Sequence, residues 1–355
     1  MKRVFVGMSG GVDSSVTAAL LVEQGFDVTG VYMKNWTQDL PGMRCPWADD
    51  LADAKRVAVQ LGISLKVYDF QDQYRQKVVD YMLAEYQAGH TPNPDIMCNQ
   101  EVKFKLFLDT ALADGADMIA TGHYARLENC DWCVEVGENR KKLLKAADEQ
   151  KDQTYFLYRV TGEALGKTVF PLGEYTKSHV RKLAEERGLA TAQKKDSQGI
   201  CFVGSVGIHE FLQEFVETTP GNIVDKHTGK TLGRHDGAIY YTLGQRHGLD
   251  LGGGMPYYVV DKDMARNEVF VSRDLNDRSM WCSYLELEQI HWINQPAKEG
   301  ESLRVRLRHR GALHPAIYSN GNLEMQEAER AVAVGQSAVL YLGDEVLGGG
   351  IVSGA

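Results

Sequence analysis

The chain predicts an α/β N-terminal domain built on a parallel sheet, followed by a small β-rich central domain and a C-terminal β-barrel. Three observations carry that reading. Apolar β-like runs alternate with helix-period segments from Val4 to Thr121. Glycine turns separate short β-like runs from about Pro220 onward. Seven small or polar residues, Ser9–Ser15, join the first strand directly to the first helix. Strands that alternate with helices give a parallel sheet whose ligands lie at its carboxyl edge.

In order, the expected elements are a strand at Val4–Gly7, a helix after Ser14, a strand at Asp27–Met33, a helix over Asp49–Leu61 and a strand at Leu65–Phe70. A helix over Asp72–Ala88 follows, then a loop in which Pro92 and Pro94 break helix, a helix over Val102–Ala113, and a strand at Met118–Thr121 that runs into Gly122-His123-Tyr124. Lys141–Ala146 reads as a short strand after a hairpin, Lys151–Leu165 as a helical region, and Lys177–Arg187 as a helix closed by Gly188. In the central region the β-like runs are Asn222–Val224, Ala238–Thr242, Tyr257–Asp261 and Glu268–Ser272. After about Ser283 come Leu303–Arg308, Ala316–Ser319, Ala331–Val334 and Ala338–Tyr341, whose even spacing suggests a compact barrel. The expected domains are therefore 1–205, 206–280 and 281–355.

A length of 355 residues, 43% hydrophobic and 25% charged, fits a multidomain globular chain rather than a disordered one. No run of about 18 apolar residues could span a membrane, and the chain enters a strand by Val4, so the expectation is a soluble cytoplasmic protein without a membrane partner. The net charge of −9 argues against indiscriminate adhesion to nucleic acid, which leaves RNA binding to a local basic face. That face is legible at Leu303–Arg310, where arginines 304, 306, 308 and 310 alternate with apolar residues or histidine. A charged edge strand would show the same pattern.

The Ser9–Ser15 turn is a place for phosphate. Glycines let the backbone approach an anion, and hydroxyls and free N–H groups at a helix N-terminus supply donors. The familiar phosphate loop ends in a lysine, and none stands here; Asp13 suits a metal carried on pyrophosphate better than direct phosphate contact. The heptad resembles the SGGxDS loop of the pyrophosphatase-loop ATPases, which cleave ATP between its α and β phosphates to adenylate a carbonyl oxygen.

The six cysteines form no evident disulfide framework. Cys98 follows Asp95 by three residues, so one helical turn would set thiol and carboxylate on one side. Lys103, Lys105 or a helix N-terminus would then have to offset the carboxylate if the thiolate is to form. Cys201 stands on a polar, glycine-containing segment after Lys194 and Lys195, the electropositive setting that lowers a thiol pKa. Cys130 and Cys133 have half the spacing of a zinc site with no second half, and read as filler at a hairpin tip. Cys45 suggests no role, and Cys282 beside Trp281 suggests packing.

Taken with the loop, the segments Thr91–Asn99, Thr121–Tyr124, Lys151–Tyr155, Asp196–Phe202, Tyr241–Leu249 and Gly335–Ser337 resemble the bacterial tRNA-uridine 2-sulfurtransferases, also called tRNA-specific 2-thiouridylases, over nearly the whole chain. The resemblance implies a pyrophosphatase-loop domain of the adenine nucleotide alpha-hydrolase type. It also implies ATP, with Mg2+ on the nucleotide, held by Gly7, Met8, Ser9, Gly10, Gly11, Val12, Asp13, Ser14, Met33 and Gly122. It makes Cys201 the persulfide carrier, Cys98 the second catalytic cysteine able to close a transient disulfide with it, and Asp95 a general acid or base. Asn93, Pro94, Asp95, His123, Lys151, Asp152 and Gln153 would surround the target base, with Arg308, His309 and Gln336 on tRNA. The implied substrate is the wobble uridine of the tRNAs for lysine, glutamate and glutamine, and the implied partner is a persulfide donor, either a Tus-type relay protein or a cysteine desulfurase. The Gly252–Gly254 connection is shorter than in some members, and Val334 stands where proline often precedes Gly335. The residues alone leave open an amide- or lysidine-forming synthetase and a tRNA-binding module without catalysis. An ammonia or amine nucleophile would leave Cys98 and Cys201 idle, and intact Asp13, Asp95, Cys98 and Cys201 speak against the second.

Overall fold

The computed structural model describes residues 1–40, 44–130, 133, 135, 137–195, 207–252, 254–274 and 276–355. Its first layer is a parallel sheet. Strand β1 (Arg3–Gly7) pairs with β2 (Asp27–Lys34) on one side and β4 (Met118–Ala120) on the other, and β3 (Ser64–Asp69) extends it beyond β2. Between β4 and the next strand of this sheet the chain makes a hairpin, β5 (Arg126–Asn129) and β6 (Lys141–Leu144), then returns as the two-residue β7 (Thr168–Val169) beside β4. The order β3-β2-β1-β4-β7 reverses direction between β1 and β4, which opens a crevice at their carboxyl ends.

Both faces of the central strands β1 and β4 are buried, as the middle of a parallel sheet requires, while the edge strand β3 is largely exposed. Val4 and Val6 pack with Leu21 of helix α1 (Val12–Glu23) and Val57 of helix α2 (Trp47–Leu61), while Phe5 packs on the opposite side with Phe107 and Ile119. The alternation of faces along β1 is the period-two rule of a strand.

Two helical segments on the far side depart from the expected outline. Residues 71–87 are helical with a π-helical centre at Arg75–Val79, and residues 94–113 are helical with a π-helical stretch at Cys98–Leu106. The second begins eight residues before the expected Val102, because Asn93 caps it: its Oδ1 accepts from the amides of Asp95 and Ile96 at 3.1 and 3.3 Å, and Pro94 occupies the first helical position. Cys98 is therefore inside a helix rather than in a loop ahead of one. The region expected to be helical from Lys151 to Leu165 is a 3₁₀ turn at Thr154–Phe156 and a short helix at Gly162–Gly166.

The central part is a four-stranded sheet, β8 (Gly221–Asp225), β9 (Thr231–His235), β10 (Tyr258–Asp263) and β11 (Glu268–Ser272), in the order β10-β11-β8-β9. Ala238–Tyr240, expected as a strand, is a 3₁₀ turn, and the Ala238 amide donates to the Asn267 side chain instead of a strand neighbour.

Six antiparallel strands form the barrel: β12 (Trp281–Trp292), β13 (Glu301–Arg306), β14 (His314–Ser319), β15 (Asn322–Arg330), β16 (Ser337–Leu342) and β17 (Glu345–Gly354). β17 pairs back onto β12, which closes the sheet and leaves no free edge in the ring. Leu303, Val305 and Leu307 point into the barrel core, as their alternation indicated. Ala331–Val334 is a turn after β15 rather than a strand.

The start of β17 also pairs with β6, so the β5–β6 hairpin, early in the chain, extends the barrel sheet. At the end of β5, Cys130 and Cys133 form a disulfide with Cα atoms 5.2 Å apart, which corrects their reading as unbonded filler. That separation lies within the range a disulfide can bridge. Among the described residues no helix is long and apolar enough to cross a membrane.

The seam between the first layer and the barrel is polar as well as apolar. Tyr155 donates from its hydroxyl to the Ser337 carbonyl at 3.0 Å, and Arg306 sends its guanidinium to the Asp152 carboxylate at 2.9 Å. Asp152 is 2% exposed and also accepts from the Thr154 hydroxyl and the Ala146 amide. Arg306 thus leaves the solvent stripe proposed for the four arginines. Breaking a buried pair leaves the other charge uncompensated at a cost of about 3–5 kcal/mol. Arg306→Met is expected to lose stability in that range by urea unfolding, and Arg306→Met combined with Asp152→Asn to lose less than Arg306→Met alone.

Candidate functional site

The crevice at the ends of β1 and β4 is lined by the predicted loop. Gly10 takes φ 73°, and a Cβ there would lie 2.3 Å from the carbonyl oxygen of Asp50 on α2. Gly11 precedes α1 as its N-cap in extended conformation, and the Ser14 and Ser15 hydroxyls both donate to its carbonyl, at 3.1 and 2.8 Å. The Ser9 amide donates to Ser14 Oγ at 3.2 Å, so the loop folds on itself before it meets a ligand. Gly10→Ala is expected to cost about 1–3 kcal/mol of unfolding free energy through overpacking and backbone strain, read by urea denaturation.

Gly122 brings the end of β4 against the first turn of α1. A Cβ on it would lie 2.9 Å from the Asp13 carbonyl carbon and from the Ser14 nitrogen. Gly7 faces Met33 and Thr121 in the same way, with Met33 Cε 3.1 Å from the position of a Cβ. Met8 and Val12 are buried in the packing beneath the loop. The residues expected around a nucleotide, Gly7 to Ser14 with Met33 and Gly122, therefore meet at one point of the sheet edge. Asp13 reaches outward from the turn to Tyr124, whose hydroxyl donates to Oδ1 at 2.8 Å, and to Lys177 Nζ at 2.7 Å.

From Asp13 a line of contacts leads to Cys98 and the barrel. The Tyr124 amide donates to Gln153 Oε1 at 2.9 Å, the Phe156 amide to the Gln153 carbonyl at 3.0 Å, and Asn99 Nδ2 to the Phe156 carbonyl at 3.1 Å. His309 lies on the Phe156 ring with centroids 4.4 Å apart. Asn99 Oδ1 and His309 Nδ1 are buried without a hydrogen-bond partner among the described residues. Buried polar atoms left unmatched are unfavourable unless a further molecule completes them. The Val334 carbonyl accepts from the Thr91 amide at 3.0 Å, which lays the Gln336 turn against the loop that leads to Asn93.

Cys98 is 2% exposed at the start of the π-helical stretch, and its amide donates to the carbonyls of Pro94 and Asp95. π-helical insertions occur frequently at functional sites. Burial pushes the Asp95 carboxyl up from the ordinary range, while the charge of Lys103 opposes the rise. Lys105 instead pairs with Glu101 at 3.2 Å, so Lys103 and the helix N-terminus are the positive influences on this turn. His123 is buried, shares one hydrogen bond with the Thr121 hydroxyl at 2.7 Å, and forms a three-ring cluster with Phe104 and Phe170. Burial, and secondly Lys103, hold its pKa well below the usual value, so it is neutral at pH 7.

Not every expected contact faces outward. Asp152 is buried and committed to Arg306 and Thr154; Lys151 and Gln153 beside it are half-buried. Arg308 is exposed but holds the carbonyls of Arg330 and Ala331, and pairs with Glu329 at 3.5 Å. Cys201 lies outside the described residues. The chain approaches it at Lys194, which binds Asp50 and Asp53 on α2 at 2.7 and 2.6 Å, next to Gly10. Lys194 is therefore held beside the Ser9–Ser15 turn, and its charge is matched by two carboxylates. Sequence reasoning missed this pair, and it missed Lys177 and Phe156, because their partners are distant in sequence and no spacing rule links them.

Three family models cover the chain in order: a tRNA methyl transferase HUP domain over residues 2–205, a tRNA methyl transferase PRC-barrel domain over 209–273, and an aminomethyltransferase beta-barrel domain over 283–352. A tRNA-specific 2-thiouridylase of Shouchella clausii is 46% identical over 357 residues, 99% of this chain and 96% of its own. The proteins of that name from Pseudomonas fluorescens and Bacillus subtilis are 45% and 44% identical, each over 99% of this chain and 94% of their own. A solved 4-thiouridine synthetase–RNA complex with bound ATP overlaps 60% of this chain and 50% of its own at 16% identity, and its TM-score of 0.38 is too low to support an argument. Identity of this order from the first strand to the last turn of the barrel leaves no part of the fold outside the match, and the chain belongs to the tRNA-specific 2-thiouridylase family.

Proposed function

We propose that the protein uses ATP to replace oxygen with sulfur at carbon 2 of uridine in tRNA, and that the target is the wobble uridine of the lysine, glutamate and glutamine tRNAs. The observation that carries this reading is the continuous line from Asp13 through Tyr124, Gln153 and Phe156 to Asn99 and His309. It joins a phosphate-type turn, the helix bearing Cys98, and the face of the barrel that carries Arg308 and His309. Family membership supports the same chemistry.

The uracil carbonyl is a poor electrophile, and adenylation converts its oxygen to a leaving group. In the proposed sequence, oxygen 2 of uracil attacks the α-phosphorus of ATP, the bond to the β-phosphate bridge breaks, and pyrophosphate leaves with the electron pair. The Ser9–Ser15 turn leads into the N-terminus of α1, whose first amides and dipole suit an anion. Asp13 would supply one carboxylate to Mg2+ carried on the nucleotide, an ion that would neutralise phosphate charge. The terminal sulfur of a Cys201 persulfide then bonds to carbon 2 while the bond to AMP breaks. Cys98 attacks the Cys201 sulfur, the new sulfur departs with the base as 2-thiouridine, and a Cys98–Cys201 disulfide remains for external thiol to reduce. Asp95, with its raised pKa, is placed one turn before Cys98 to accept the thiol proton. The sulfur reaches Cys201 from a persulfide donor, a cysteine desulfurase or a Tus-type relay protein.

Incubation of the protein with ATP, Mg2+, transcribed tRNA and a cysteine desulfurase with free cysteine as the persulfide source, followed by nucleoside mass spectrometry, tests the reading. 2-Thiouridine at the wobble position alone is the expected product. An amidated or lysine-bearing base, or unchanged tRNA, would replace the reading with one of its rivals.

A further inference from the structure

Asn99, the residue after Cys98, carries an oxygen that no described part of the fold satisfies. The residue is 2% exposed, its Nδ2 donates to the Phe156 carbonyl at 3.1 Å, and its Oδ1 is buried without a hydrogen-bond partner. The amide cannot be turned over, because that would set Oδ1 against the Phe156 carbonyl, acceptor against acceptor. That carbonyl is itself held in place by the 3₁₀ turn Thr154–Phe156, whose Phe156 amide donates to the Gln153 carbonyl at 3.0 Å. Asn99 therefore presents an acceptor of set direction, and burying such an atom unmatched is unfavourable. His309 Nδ1 is unmatched as well, but an imidazole nitrogen donates or accepts with its tautomer and specifies nothing by itself.

The place of this acceptor bears on its use. Asn99 follows Asp95 by four residues, about one helical turn, and stands beside the thiol in the π-helical stretch Cys98–Leu106. Uracil has one group on its Watson–Crick edge that suits it. Oxygen 2 is the atom to be adenylated, oxygen 4 is an acceptor, and N3–H, next to carbon 2, is the donor. Cytosine has a lone pair at N3, which repels an oxygen placed opposite. Bases lifted out of a strand are read on this edge, and a site built around one hydrogen bond rejects a base that lacks it.

We propose that Asn99 Oδ1 accepts from N3–H of the target uracil and is the group that distinguishes uracil from cytosine at the wobble position. The proposal rests on the reading of the chain as a uridine-thiolating enzyme. Because Oδ1 is closed from solvent, the base reaches it as neighbouring side chains give way. Uracil then compensates the acceptor, and cytosine leaves it unmatched.

Equilibrium binding of full-length tRNA with uridine or cytidine at the wobble position tests it. Mg2+ and α,β-methylene-ATP are present, so that no nucleotide cleavage intervenes. Wild type is expected to bind the uridine tRNA roughly 10- to 100-fold more tightly, the range for one buried hydrogen bond and the unmatched acceptor its loss leaves. Asn99→Ala weakens binding of the uridine tRNA and brings the two affinities within about threefold of each other. A role confined to holding Phe156 lowers both affinities alike, and an unchanged ratio overturns the proposal. A ratio that grows places Oδ1 opposite position 4, where cytosine has its donor, and overturns it as well. If Asn99→Ala does not fold, wild type is measured with 3-methyluridine at the wobble position. A loss of about tenfold or more against uridine supports the proposal, and equal affinity overturns it. Wild type that makes no 2-thiouridine from ATP and a persulfide source overturns the thiolation reading itself, whatever the ratio, which separates the two failures.

Discussion

Cys201→Ser is expected to abolish 2-thiouridine formation, by roughly a thousandfold or more as for loss of other covalent nucleophiles, while ATP affinity stays within about twofold of wild type. A serine hydroxyl cannot carry a sulfane sulfur, so no smaller effect fits a persulfide on this residue. The pattern for Cys98→Ser differs. That variant is expected to form the bond between the terminal sulfur of the Cys201 persulfide and carbon 2 and then stall, with tRNA held on Cys201 as a mixed disulfide that dithiothreitol releases. Gel analysis of tRNA with and without reductant distinguishes the two cysteines, and equal behaviour of the two variants would remove the distinction in their roles.

Asp95→Asn is expected to lower single-turnover thiolation at saturating tRNA by about 10²- to 10⁴-fold, the range for a positioned general base. The pH dependence gives an independent check. Burial raises the Asp95 pKa, so the native state holds this proton more tightly than the unfolded chain. The resulting stability is fully present below the unfolded pKa and is lost as pH rises through the folded one. Asp95→Asn therefore removes a falling limb of stability above the ordinary carboxylate range, measurable by urea unfolding across pH. If Asp95 acts as the base for Cys98, the wild-type rate rises through that same interval, and Asp95→Asn flattens the rise.

What could be read from the residues and what could not divides along physical lines. β1 to β4 and α1 were legible because a buried parallel strand is an apolar run bounded by turns, and the Ser9–Ser15 heptad is contiguous. β12 and β17 were not, since β12 alternates leucine and glutamate only over Leu285–Glu288 and β17 is rich in glycine. Their strand character comes from closing the barrel on each other, a tertiary effect without local signal. The two-residue β7 is too short to show any period. Within the site, Asp95 and Cys98 were linked by helical spacing, but the start of their helix depended on the Asn93 cap. The arginine stripe was visible as a pattern; that Arg306 turns to Asp152 required the seam to be formed. Lys177 with Asp13 and Lys194 with Asp50 are contacts across 164 and 144 residues, beyond any motif.

The central claim is that α–β cleavage of ATP activates the uracil oxygen for attack by sulfur. A single-turnover reaction with persulfide-loaded protein, tRNA and ATP labelled at the α-phosphate measures it directly. Equal amounts of labelled AMP, pyrophosphate and 2-thiouridine are predicted, with no AMP released when Cys201 is serine and the sulfur cannot arrive. Labelled ADP with orthophosphate, or 2-thiouridine formed without nucleotide cleavage, would contradict the account.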